Sequence, residues 1–136
     1  MKRLTLGCTL LLLLSINSCK KDEPVISKNM QFITNGTWIQ ISTSINGEDY
    51  WEDIPECIKD DTYTYKKNLT LIEDEGATKC ISTDPQTNTY KWNFIDNETK
   101  IFDGEDTIKI ITLTEKEFIY EYDLDGDIVI IEHTRL

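Results

Sequence analysis

Cys57 and Cys80 bracket the stretch that most restricts how this chain can fold. After Cys57 and a polar link, Thr62-Tyr63-Thr64-Tyr65 reads as a strand, and Leu69-Thr70-Leu71-Ile72 returns toward Cys80. Lys67-Asn68 joins the two runs, with Asn68 suited to a turn position of positive φ. A hairpin brings its own ends together, so the two sulfurs can meet without help from the rest of the chain. In an oxidising compartment an even pair of this kind predicts a disulfide. Closing a loop of this length is worth about 3 kcal/mol through the chain entropy it removes. The alternative is a metal pair, but no third ligand stands nearby in sequence, because the one histidine is His133.

The rest of the chain repeats the same rhythm. Gly36-Thr37-Trp38 opens a strand in which Ile39 and Ile41 alternate with Gln40 and Ser42. Thr89 to Phe94 alternates too, with Tyr90, Trp92 and Phe94 on one face. Ile101-Phe102 and Thr107 to Leu113 follow. Phe118 to Tyr122 places Phe118, Tyr120 and Tyr122 together, and Ile128 to Thr134 closes the series. Asn46-Gly47, Asp103-Gly104 and Asp125-Gly126 supply turns. About eight short strands at regular spacing predict an all-β sandwich or barrel. The links are short enough to join antiparallel neighbours, which favours a small up-and-down barrel of eight strands. Before the strands, Ser27 can cap a short helical turn that Gly36 ends.

The amino terminus carries an address. Met1-Lys2-Arg3 is basic, and Leu4 to Ile16 is mostly apolar. That is the pattern of a secretory signal, and it is shorter than the roughly 20 residues a membrane-spanning helix needs. Ile16-Asn17-Ser18-Cys19 resembles a bacterial lipobox: a branched apolar residue, a small residue, then cysteine. The resemblance implies cleavage before Cys19 and acyl chains on its sulfur. Two or more such chains anchor stably, at roughly 0.8 kcal/mol per buried CH₂. The expected division is therefore 1–18 as lipoprotein signal, 19–30 as tether and 31–136 as the β domain. Cys8 leaves with the signal. The net charge of −11 becomes more negative by two when Lys2 and Arg3 go. An acidic chain of this kind repels nucleic acid, so no nucleic-acid partner is expected.

Several motifs together resemble the lipocalin-like lipoproteins of Bacteroidetes-type bacteria. They are Gly36-Thr37-Trp38, then Cys57 with Asp60-Asp61-Thr62-Tyr63-Thr64-Tyr65, then Glu75-Gly76-Ala77-Thr78-Lys79-Cys80, with Trp92 and Leu113-Thr114 further on. The resemblance spans roughly residues 36 to 136. It implies a lipid-anchored protein of the outer membrane, exposed at the cell surface or facing the periplasm, with a non-catalytic binding or scaffolding barrel. By the same resemblance Trp38 packs across the closed end of the barrel, with Arg135 as its cationic partner.

Candidate sites follow from residue types. Tyr90, Trp92, Phe94, Phe118, Tyr120 and Tyr122 could line a cavity for a small apolar ligand, or pack as core; both readings stand. No cofactor is expected. Asp123-Leu124-Asp125-Gly126-Asp127 has the alternating acids of a calcium loop without its later glutamate, and Asp-Gly is a strong hairpin signal. Asp60-Asp61 suits loop capping better than shared acid–base work. His133 has no neighbouring serine or cysteine in sequence, so a nucleophilic triad finds no support. Asp106-Thr107-Ile108 fits the acidic-Thr-aliphatic sequence on which such bacteria attach glycans. The competing functions are an inhibitor that binds an envelope protein, and a hydrolase that uses the acidic loops.

Overall fold

The structure is a computed structural model and describes residues 26–104 and 106–136. The residues expected to form the signal, the Cys19 expected to carry lipid and most of the expected tether lie outside the described residues.

A short helix leads. Helix α1 spans Lys28–Thr34, with the Ser27 hydroxyl accepting the backbone N–H of Met30 at 3.0 Å. This is the side-chain cap that satisfies one of the helix's orphan donors. The helix begins inside the stretch read as tether. Ten strands follow: β1 (Trp38–Ile45), β2 (Glu48–Asp49), β3 (Thr62–Lys66), β4 (Thr70–Asp74), β5 (Thr87–Lys91), β6 (Asn93–Ile95), β7 (Lys100–Phe102), β8 (Thr107–Leu113), β9 (Glu117–Leu124) and β10 (Asp127–Arg135). Between β2 and β3 the chain makes a 3-10 turn at Trp51–Asp53 and a one-turn helix, α2, at Glu56–Lys59.

All pairings are antiparallel, and nine strands lie in the order β5-β4-β3-β1-β10-β9-β8-β7-β6, with β2 beside β1. The two ends of that path, β5 and β6, are consecutive in the chain and meet at Trp92. The result is a nearly closed barrel. The strand count therefore differs from the eight expected. Thr89 to Phe94, read as one alternating strand, breaks at Trp92: its first half pairs with β4 and its second half with β7. A strand that turns the corner from one neighbour to another cannot hold both ladders through a single residue. The backbone N–H of Trp92 donates to the Leu69 carbonyl at 3.1 Å.

Turn chemistry shows a second difference. Positive φ falls on Leu69 (64°), not on Asn68. The loop has three residues, closed by the Leu69 N–H on the Lys66 carbonyl at 2.9 Å. In such loops a type I turn is followed by a residue in the left-handed region, so the third position takes it. Asp125 (55°) and Gly126 (97°), by contrast, form a two-residue link with both φ positive, as the Asp-Gly signal requires. Gly126 N–H bonds the Asp123 carboxylate at 2.9 Å, so the acidic run of that loop is a hairpin turn.

The core sits toward the α1 end. Trp38, Ile33 and Ile101 are fully buried, and Trp92 and Phe118 nearly so. The indole N–H of Trp38 donates to the Ile33 carbonyl at 3.0 Å, tying α1 across this end of the barrel. The Arg135 guanidinium stands 5.0 Å from the Trp38 ring and donates to the Phe32 carbonyl at 2.6 Å. Gly36 makes room for it: a Cβ there would lie 2.9 Å from Arg135 Cδ, on a backbone with φ of 141°.

Candidate functional site

The disulfide is the first functional-looking feature that the fold explains. Cys57 lies on α2 and Cys80 in the loop after β4, with their Cα atoms 5.1 Å apart. Asp60 locks the same junction. Its Oδ2 accepts the N–H groups of Ala77 and Thr78 at 2.8 and 2.9 Å, which is the capping use expected of an Asp ahead of a strand. Gly76 (φ 62°) lets the two segments touch, since a Cβ there would lie 2.5 Å from the Asp60 carbonyl oxygen. The Gly-Ala series before Cys80 is thus a backbone requirement of the clasp.

Register places the acids at the other end of the barrel from α1. Asp61, Glu73, Asp74 and Glu75 cluster where β3 begins and β4 ends. The β7–β8 turn brings Asp103 and Asp106. Its Gly104 lies close to β5, whose second edge carries no ladder: a Cβ on Gly104 would be 3.3 Å from the Lys91 carbonyl oxygen. A cleft of about 230 Å³ opens at this seam, lined by Tyr63, Leu71, Glu73, Tyr90, Asp103 and Asp106. Tyr63 faces Glu73 across the β3–β4 ladder, and Leu71 faces Tyr90 across β4–β5. The Tyr90 hydroxyl donates to Glu73 Oε2 at 3.0 Å, and Asp103 Oδ1 accepts the Asp106 N–H at 2.9 Å. Behind Tyr63, His133 meets it edge-on at 5.3 Å and stacks on Tyr120 at 5.5 Å.

The six aromatics read as candidate ligand contacts divide. Trp92 and Phe118 are each 1 % exposed, and Phe94, Tyr120 and Tyr122 pack against their cluster. Trp92 meets Tyr65 and Phe94 edge-on at 5.1 and 5.3 Å, and Phe118 lies 5.2 Å from Tyr120. Those side chains fill the barrel. Tyr90 alone of the six lines the cleft. Tyr63, Leu71, Glu73, Asp103 and Asp106 are the cleft residues that sequence reasoning missed. Tyr63 and Glu73 alternate correctly for an inward face, but nothing in the chain marks where the sheet stops short of closing. Thr107 stands exposed at the start of β8.

Electrostatics at this end are unusual. Asp61 is 7 % exposed, and one oxygen of its carboxylate, Oδ1, has no hydrogen-bond partner. Burial, then the charges of Glu75, Glu73, Asp60 and Asp74, push its pKa up to about 6. Burial alone pushes His133 down to about 4, so it is neutral at physiological pH. The Tyr63 hydroxyl is raised by burial first, then by Glu73 and Asp61 and by its hydrogen bond to Glu73. The two large shifts of Asp61 and His133 act on stability with opposite sign. A carboxylate raised in the fold takes up a proton on folding, so its contribution is present below its ordinary pKa and lost as pH rises through about 6. A histidine lowered in the fold contributes above pH 6.5, and that contribution is lost as pH falls toward 4. Asp61→Asn should therefore expose the acid lability of His133. Denaturant melts should show about 2 kcal/mol more loss than the parent between pH 6.5 and 4. His133→Gln should shift the same profile the other way. Parallel profiles for parent and both variants would contradict this assignment.

No protein-family model matches the chain, and no curated protein matches it. Among the described residues no group of three or more His, Cys, Asp or Glu side chains is arranged to hold a metal ion, and no helix is long and apolar enough to cross a membrane.

Proposed function

We propose that this chain is a lipid-anchored protein of the bacterial outer membrane whose lipocalin-like barrel is a non-catalytic binding module for a small molecule. Acyl chains on Cys19 hold it to the bilayer. The single observation that supports binding is the cleft at the β5 seam, which has a tyrosine and leucine floor and convergent polar groups. It is smaller than the roughly 300–1,000 Å³ of pockets that enclose drug-sized ligands, so it suits a small molecule or the end of a larger one. The packed aromatic interior argues against a deep apolar ligand chamber like that of a large carrier barrel.

Three carboxylates in one open cleft also favour a second reading, a hydrolase. Two of them, Glu73 and Asp103, already accept hydrogen bonds from neighbours, which suits holding a ligand better than delivering a proton. Native mass spectrometry of the full chain, expressed from residue 1 in its host and purified in detergent, separates the readings. A binding module should release a reproducible small molecule besides lipid, and a Tyr90→Ala variant should lose it. Repeated bare preparations would count against binding.

A further inference from the structure

We infer that the cleft at the β5 seam is selective for small organic cations, with an ammonium group set against an aromatic or apolar body. This deepens the binding-module reading and rests on it. Glu73, Asp103 and Asp106 line the cleft and no basic side chain does, among the described residues. Tyr63 and Tyr90 supply ring surface beside those carboxylates, the pairing that attracts ammonium groups through both charge and ring quadrupole. Leu71 is 7 % exposed and gives the cleft an apolar base. His133, the ring behind Tyr63, is held neutral by burial, so a bound cation meets no opposing charge there.

A further observation comes from Asp61. It stands one residue ahead of β3 and two before Tyr63, and its charge acts on the Tyr63 hydroxyl as that of Glu73 does. The residue is 7 % exposed, its Oδ1 is buried with no donor, and the charges that act on it are those of Glu75, Glu73, Asp60 and Asp74. A buried acceptor left without a partner is costly, and native proteins satisfy nearly all of them. An ammonium group held at Glu73 brings a positive charge into the field of Asp61. A neutral apolar ligand brings none.

The test uses three probes of matched size on the full chain in detergent: phenethylamine, 2-phenylethanol and 3-phenylpropionate, with binding read by calorimetry at low and high salt. The amine should bind at least tenfold more tightly than the alcohol, and the carboxylate should not bind. High salt should weaken the amine and leave the alcohol unchanged. Glu73→Gln should lower amine affinity about tenfold, the size of one charge-assisted contact, without changing the alcohol. Asp61→Asn should do the same, and should be well folded because it removes a repelled charge. Equal affinity for amine and alcohol, or an amine affinity that neither variant changes, overturns the inference while leaving a binding module. Failure of all three probes, together with bare native preparations, overturns both.

Discussion

Trp38→Ala should lower the melting temperature by roughly 15 °C or more, the largest single-residue loss expected in this protein. Truncating a fully buried tryptophan costs about 3–5 kcal/mol, through lost burial and the cavity left behind. For a domain near 100 residues each kcal/mol moves the midpoint by about 4 °C or more. Here the loss extends beyond volume. Trp38 has no exposed surface, and its ring meets Phe118 edge-on at 5.8 Å. Its indole N–H is the bond that fixes the Ile33 carbonyl at the end of α1. Its face carries the Arg135 guanidinium, which in turn caps Phe32. Removing the ring therefore frees the helix and leaves a cation without its aromatic partner. Trp38→Phe separates the contributions: it keeps most of the packing and should cost about 1–2 kcal/mol for the lost donor and reduced volume. A thermal melt within 5 °C of the parent for Trp38→Ala would show that α1 and the barrel end do not depend on this ring.

The second large effect belongs to the clasp. The double variant Cys57→Ser, Cys80→Ser should lose about 3 kcal/mol, roughly 12 °C or more in midpoint, because the bond links residues separated by 23 positions. Reduction of the parent protein should give the same shift. The loss should be local in character. Asp60 still bonds Ala77 and Thr78, so the junction keeps part of its order without sulfur. Hydrogen exchange should then quicken first in the segment from Glu75 to Gln86, whose backbone is tied mainly by Asp74, Asp60 and the Glu75–Gln86 bond. Free-thiol labelling of both cysteines in the mature protein would remove the basis of this expectation. A reduced protein with an unchanged midpoint would mean the junction is held by Asp60 alone.

Much of the architecture was legible in the chain because it is written at short range. Ser27 caps α1 because a hydroxyl at that position reaches the N–H three residues on. Asp125-Gly126 makes a tight hairpin because both residues tolerate positive φ. Phe118, Tyr120 and Tyr122 share the inner face of β9 because side chains alternate along a strand. Each of these depends on a residue and its near neighbours. Local rules failed at two places. Leu69 takes the left-handed position instead of Asn68 because loop length, not residue preference, set the turn. The strand from Thr89 to Phe94 divides at Trp92 because the curvature of the whole sheet demands a corner there.

The cleft shows the same boundary more sharply. Tyr63, Glu73, Tyr90, Asp103 and Asp106 come from four separate segments, and no pattern within any one of them selects the others. Sequence alone determined an antiparallel barrel with a sulfur clasp, since alternation, turn residues and cysteine spacing act locally. Only the tertiary structure decided which aromatics became core and where the sheet fell short of closing. Closure depends on the summed twist and register of all the strands at once, and the gathering of acids at the seam follows from that sum.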